Sequence, residues 1–300
     1  MSPTARPSPN RSSPNRSPLW PAQLDHIQRT SDRPEELVRF YGDALGLVPQ
    51  ELGPSQWLVH GPGRRLLIAG GPKGAQPLSV FRVQTKPQLA ALRAWLDGRG
   101  IPLLPLPTPL FAEGFAVRDP DGRLAAFGLP DPRYTVPASD KAAARMPARL
   151  QHVVVATTDL KRMVEFYERE LGFLASDHVY EGGTADGDVT ATFLRSDDEH
   201  HSFAAFRAPE ARSDHHSYET SCWNDIRDWA DHLSTLHIKL WWGPGRHGPG
   251  NNLFFMVEDP DGHKVEWSAE LEHIPQENGP RSWTHEERTL NYWGQSWMRS

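Results

Sequence analysis

The order of apolar and polar positions predicts a strand followed by a helix, and this pair occurs twice in the chain. Residues 150–157, LQHVVVAT, form a nearly continuous β-branched run, the signature of a buried strand. The period then changes. Leu160, Met163, Val164, Tyr167 and Leu171 recur at i, i+3, i+4, i+7 and i+11, which predicts a helix with one apolar stripe. Thr158 or Asp159 can cap its start, and Gly172 suits its end. The same pattern appears 126 residues earlier, His26 standing where His152 stands. There LDHIQRT predicts a strand and Ser31 and Pro34 a helix start. Leu37, Val38, Tyr41 and Leu45 form the stripe, and Gly46 the stop.

Short strand-like runs follow in each copy, QWLVHG and RRLLIAGG in the first and DVTATFLRS in the second. Second helices are predicted at about 87–98 and 223–236, and each copy closes with two strands joined by a DPDG turn, at 115–128 and 255–268. This predicts an α+β fold of two tandem domains, each built from paired βαβββ modules. The expected divisions are a Pro/Ser/Arg-rich tail (1–21), a first domain (22–131), a linker (132–148), a second domain (149–270) and a Trp-rich extension (271–300). The 300 residues suit two ordinary domains. A net charge of −6 offers no footprint for nucleic acid or anionic membrane, and no apolar run reaches a membrane span. With Cys222 the lone cysteine, a cytoplasmic location is expected.

The chemistry lies where the two copies differ. Aligned on DPDG, Glu266 of the second copy falls on Ala126 of the first. His152 interrupts an apolar strand, and Glu266 interrupts another; a buried carboxylate calls for a cation or metal. His215 and His216 of HHSY (215–218) offer a further imidazole. Two imidazoles and one carboxylate leave coordination positions open, the arrangement used by non-haem Fe(II). His178, His232, His237, His263, His273 and His285 carry no such pattern and are expected to be ordinary.

These residues resemble the type I extradiol ring-cleaving dioxygenases of the vicinal oxygen chelate superfamily, over about residues 22–270. LQHVVVAT looks like the strand of the first metal ligand, HHSYE like that of the second, and VEDPDGHKVEW like that of the third. The resemblance implies Fe(II), or Mn(II) in its place, on His152, His215 and Glu266, with Tyr218 three residues on favouring His215 over His216. In EHHSFAAF (199–206) it implies His201 as the acid–base residue, His200 being the neighbouring alternative. In GPGRHGPGNN (243–252) it implies His247 as the histidine that meets the substrate oxygen; Asn251 and Met256 are expected on the substrate side too. Met256 departs from the family, which commonly has tyrosine there, since methionine donates no hydrogen bond. Leu78 and Ala126 stand at the ligand positions of the first copy, so that copy is expected to bind no metal. The implied reaction is O2-dependent cleavage of a catecholic ring beside its hydroxyl pair, in a homo-oligomer. The alternatives are a glyoxalase-like isomerase of the same superfamily, a 2-oxo-acid-dependent dioxygenase, and a non-catalytic protein that binds aromatic compounds.

Overall fold

Strand, helix and three further strands follow one another in both halves, as the apolar periodicity predicts. The computed structural model describes residues 17–74, 77–134, 146–183 and 187–297; most of the expected tail and the centre of the expected linker lie outside them. The first half opens with β1 (Ala22–Ser31), α1 (Pro34–Leu45), β2 (Val48–Gly53), β3 (Gln56–Gly61) and β4 (Arg64–Gly70). Its second unit is β5 (Leu78–Val83), α2 (Lys86–Asp97), β6 (Phe111–Arg118) and β7 (Leu124–Pro130), with one strand reduced to a bridge between Leu104 and Ala116. The second half contains β8 (Arg149–Thr157), α3 (Leu160–Glu165), β9 (Leu174–Tyr180), β10 (Val189–Arg195) and β11 (Phe203–Arg207). Then come β12 (Arg212–Thr220), α4 (Trp223–Thr235), β13 (Trp242–Arg246), β14 (Leu253–Glu258) and β15 (Lys264–Ala269), and finally β16 (Arg281–Thr284) and α5 (Glu287–Leu290).

Each half makes one sheet, in the orders β2-β3-β4-β1-β5-β7-β6 and β13-β14-β15-β12-β8-β11-β10-β9-β16. Within every unit the opening strand pairs in parallel with the closing one: β1 with β4, β5 with β7, β8 with β11 and β12 with β15. The two units of each half meet through antiparallel opening strands, β1 with β5 and β8 with β12. Among the described residues, no helix is long and apolar enough to cross a membrane.

The predicted caps are seen at the second copy, where Asp159 Oδ1 accepts from Arg162 N at 2.9 Å. Gly46 and Gly172 end their helices in the left-handed region, at φ 63° and 96°. Two details differ from the periodic reading. Ser31 does not cap α1; its hydroxyl accepts from Arg33 N and donates to Asp261 of the other domain. And α3 passes into a π-helix at Phe166–Leu171. The wider turn accompanies burial of both Phe166 and Tyr167, whereas Phe40, the counterpart of Phe166 in α1, is only half-buried. Residues 17–21, grouped above with the tail, are also packed: Leu19 is fully buried and Gln88 Nε2 donates to the carbonyls of Pro18 and Leu19.

The duplicated motifs tie the halves together. Tyr41 of α1 donates to Asp259 Oδ2, in the second DPDG turn, at 3.0 Å. Arg123, which follows the first DPDG turn, donates to the Ala156 carbonyl of β8 at 2.7 Å. Each closing turn is thus anchored on the opening unit of the other copy.

Candidate metal centre

Strand alternation aims the site. In β8, Val153 and Val155 join the main apolar core, while His152 and Val154 face a cavity on the other side of the sheet. A regular strand would turn Gln151 away from His152. The ladder is irregular here: Ser217 pairs with His152 but Tyr218 with Leu150, so Gln151 is skipped. Asp214 is skipped in the same way, because Ser213 pairs with Val155 and His215 with Val154. Such bulges re-aim side chains.

Each skipped residue holds the histidine that follows it. His152 Nδ1 donates to Gln151 Oε1 at 2.6 Å, and His215 Nδ1 donates to Asp214 Oδ2 at 2.8 Å. An amide or carboxylate oxygen only accepts, so the proton sits on Nδ1 and the Nε2 lone pair is left free. Both Nε2 atoms converge on Glu266, at 3.7 Å from His152 to Oε1 and 3.6 Å from His215 to Oε2. The three ligand atoms lie within 4.8 Å of one another.

Glu266 is 1 % exposed. Its Oε1 accepts from Ser217 Oγ at 3.1 Å, while Oε2 has no hydrogen-bond partner. Burial pushes this carboxyl up, but His247, His215 and Ser217 together hold it below its ordinary value. Burial drives His152 well below the usual imidazole range, with His201 and His215 adding to the effect. A buried carboxylate with an orphan oxygen, facing two free imidazole lone pairs, fits a divalent cation in chemistry and in shape. No thiolate takes part, which argues against a closed structural zinc site.

The cavity beside these ligands is walled largely by Val154, Val179, Ala191, Phe193, Phe206 and Leu290, and no Lys or Arg lines it among the described residues. His201 and His247 both line it. The His201 ring stands 4.3 Å from that of His152, centroid to centroid. His247 stacks on Phe254 at 3.7 Å, donates from Nδ1 to the Leu290 carbonyl at 2.5 Å, and brings Nε2 to 3.7 Å from Glu266 Oε2.

Of the paired alternatives, His215 and His201 are at the cavity. His216 is turned away and meets His263 Nε2 at 3.0 Å, and His200 lies behind His201. Met256 is the cross-strand partner of Glu266 and is fully buried, but it is not among the cavity-lining residues. Asn251 is exposed, at φ 52°, in a turn whose carbonyl accepts from Arg246; it too is outside the cavity. His285, Thr289 and Leu290 of the C-terminal segment line the wall and were not foreseen, since no periodicity points to them. Gln151 and Asp214 did leave a signal: a polar residue directly precedes His26, His152 and His215 alike.

Residues 149–267 match the family described as Glyoxalase/Bleomycin resistance protein/Dioxygenase superfamily. The match covers most of the C-terminal domain and none of the N-terminal one. Metapyrocatechase 2 of Cupriavidus necator is 32 % identical over 131 residues, 43 % of this chain and 39 % of that protein. Metapyrocatechase of Pseudomonas sp. (strain CF600) is 28 % identical over 138 residues, 45 % of this chain and 43 % of that protein. The matched region thus spans about two fifths of the length of these relatives. The fold extends further. Homoprotocatechuate 2,3-dioxygenase from Arthrobacter globiformis superposes with a TM-score of 0.77 at 21 % identity, covering 97 % of this chain and 92 % of that one. A Mn(II)-bound glyoxalase from Novosphingobium aromaticivorans gives 0.74 at 23 % identity, covering 91 % and 90 %. Both matches extend over nearly the whole of this chain, and at such identities the likeness concerns the fold.

Proposed function

We propose that this protein is an extradiol dioxygenase that uses Fe(II) on His152, His215 and Glu266 to open a catechol ring beside its hydroxyl pair. One carbon–carbon bond breaks, and both atoms of O2 enter the product, a muconic-semialdehyde-type compound. The observation that carries this reading is the two-histidine, one-carboxylate set at the wall of an apolar cavity that also holds His201 and His247. The metapyrocatechase relatives support it. When bound, the metal supplies a Lewis acid for the catechol hydroxyls and an electron path from the ring to O2.

The chain does the rest. Gln151 and Asp214 hold the two ligand imidazoles by Nδ1, fixing their tautomer and aim. Val154, Ala191, Phe193 and Phe206 take up the aromatic ring and exclude water from it. His247, tethered to Leu290 through Nδ1–H, turns its bare Nε2 to accept from a substrate hydroxyl. His201 moves protons between substrate and cavity through its free ring nitrogen. With no Lys or Arg in the wall among the described residues, a ring carboxylate would be buried unpaired, so catechols with uncharged substituents are the preferred substrates. The lone Cys222 suits a reducing cytoplasm as the setting.

The test is oxygen uptake after anaerobic reconstitution with Fe(II), Mn(II) or neither. Catechol and alkylcatechols should consume O2 and give a ring-fission absorbance, with kcat/KM about tenfold or more above that for homoprotocatechuate. Activity restored by Mn(II) as well as by Fe(II) would overturn the metal assignment. Stoichiometric iron binding without uptake of O2 with any catechol would overturn the reaction.

A further inference from the structure

Behind His201 runs a buried line of polar groups that the proposed reaction does not use. His201 Nδ1 lies 2.9 Å from His200 Nδ1, and His200 Nε2 lies 2.8 Å from Asp177 Oδ2. Arg281 closes the line, donating from Nε to Oδ1 at 2.7 Å and from Nη2 to Oδ2 at 2.9 Å. His200 and Asp177 are fully buried, and His201 is 3 % exposed. His200 is also fixed by its backbone, its N–H donating to the Glu272 carbonyl and its C=O accepting from Ser176 Oγ.

The direction of every proton in this line follows from its far end. The two-point contact with Arg281 marks Asp177 as a carboxylate, which can only accept. His200 must therefore donate to it from Nε2. A neutral His200 then has a bare Nδ1, which can only accept, so His201 must donate from its own Nδ1. That leaves the Nε2 of His201 without a proton, and it is the nitrogen on the side away from His200, toward the cavity.

We infer that His200, Asp177 and Arg281 are positioning residues that hold His201 in its Nδ1–H form with a proton-accepting Nε2 toward the substrate. This rests on the dioxygenase reading for its use, but the tautomer itself does not. The logic matches that of a carboxylate that orients a catalytic imidazole, lengthened here by one histidine. The C-terminal segment gains a role through it. β16 sets Arg281 opposite Asp177, and a few residues on the same segment supplies the Leu290 carbonyl to His247. One strand-and-turn thus orients both cavity histidines that are not ligands.

The experiment combines imidazole-nitrogen NMR of the metal-free protein with steady-state kinetics of the Fe(II)-loaded protein, for the wild type, His200→Leu and His200→Gln. The His201 signal, assigned by its loss in His201→Ala, should report Nδ1–H in the wild type and a mixture in His200→Leu. Glutamine can accept from His201 and donate to Asp177 as the histidine does, so His200→Gln should keep the Nδ1–H form. His200→Leu should lower kcat by about 10–100-fold with KM and iron content little changed, and His200→Gln should recover most of that loss. An Nε2–H signal for wild-type His201 overturns the inference whatever the activity. So do equal losses in the leucine and glutamine variants, which mean packing alone. A wild type that shows Nδ1–H but consumes no O2 removes the dioxygenase reading and leaves the orientation standing.

Discussion

The two halves place the same three positions on the same strands and fill two of them with opposite chemistry. Leu78 pairs with Leu124 in the first sheet where His215 pairs with Lys264 in the second, and Val80 pairs with Ala126 where Ser217 pairs with Glu266. The counterparts of His152, His215 and Glu266 are therefore His26, Leu78 and Ala126. In the first copy Leu78, Val80, Phe111, Ala116 and Ala126 pack into an apolar cluster. His26 is satisfied as a core residue, by Asp25 Oδ1 at 2.6 Å and Thr108 Oγ1 at 2.8 Å. The bulge that turns Asp25 toward His26 is the one that turns Gln151 toward His152, for Leu24 pairs with Phe81 and His26 with Val80. The scaffold is thus present twice; donors at two positions decide which copy carries the candidate ligand set.

Exchanging one of those residues in each direction should separate the copies most sharply. Ala126→Glu sets a carboxylate into the apolar cluster with no cation beside it, and should cost about 3–5 kcal/mol in urea denaturation. Glu266→Ala removes a carboxylate that Ser217 and the neighbouring histidines favour, so the metal-free protein should lose some stability but less than Ala126→Glu costs, while iron binding and oxygen uptake disappear. Equal destabilisation by the two exchanges would mean that Glu266 is structural.

The bulge residues give a smaller contrast. Asp214→Asn should weaken metal affinity about 10–100-fold, since the amide can flip and leave His215 with its proton on the wrong nitrogen. Asp25→Asn, at the matching bulge, disturbs His26 and the ion pair with Arg65, and should lower stability with metal affinity unchanged. Isothermal titration with Fe(II) or Mn(II) and denaturation of the same samples read both.

How far this contrast was legible follows from the range of the signals. The paired helical stripes, the DPDG turns and the exchange of Ala126 for Glu266 are local or repeat-based, and they fixed the architecture and the carboxylate. His215 against His216 could not be decided from the residues. Neighbours in a strand face opposite ways, and the bulge at Asp214 shifts that phase in a manner visible only in the ladder. Asn251 illustrates the converse: it lies close to His247 in sequence, but a left-handed turn takes it out to solvent. The approach of β16, His285 and Leu290 to the cavity depends on pairing across 104 residues, Arg281 to Asp177, and no short-range pattern encodes it.

A pH series would sharpen the comparison at the domain edge, where one cross-strand pair differs in charge. Gln23 faces Arg82 in the first sheet, and Arg149 faces Glu219 at the equivalent place in the second. Burial pushes Glu219 up to about 7, with Glu199 adding to the push and Arg149 opposing it. The folded protein therefore binds this proton more tightly than the unfolded chain does. Stability from this group is fullest below the ordinary carboxylate range and falls as pH rises through about 7. Glu219→Gln should match the wild type near the acid end and exceed it by about 1–3 kcal/mol above neutrality.

The smallest effect concerns the contacts that join the copies. Tyr41 is fully buried and its hydroxyl donates to Asp259 Oδ2, whose other neighbour is the Arg29 guanidinium at 3.7 Å. Asp259 Oδ1 is already taken by the backbone N–H groups of Asp261 and His263, so among the described residues Tyr41 supplies the one short hydrogen bond to Oδ2. Tyr41→Phe should cost about 1–2 kcal/mol by leaving a buried carboxylate oxygen short of a donor. The matching Tyr167 makes no hydrogen bond to Asp119 among the described residues, and Arg123 Nη1 serves Asp119 Oδ2 at 3.2 Å instead. Tyr167 is held by its ring, stacked on Phe203 at 3.8 Å, which phenylalanine retains. Tyr167→Phe should then cost only about 0.5 kcal/mol, and equal costs in urea denaturation would show that the two cross-domain anchors are interchangeable. Neither change touches a ligand histidine or Glu266, so metal affinity measured alongside should hold for both. A loss of affinity in Tyr41→Phe alone would mean that the Asp259 turn, which leads into β15, fixes Glu266 from the other domain.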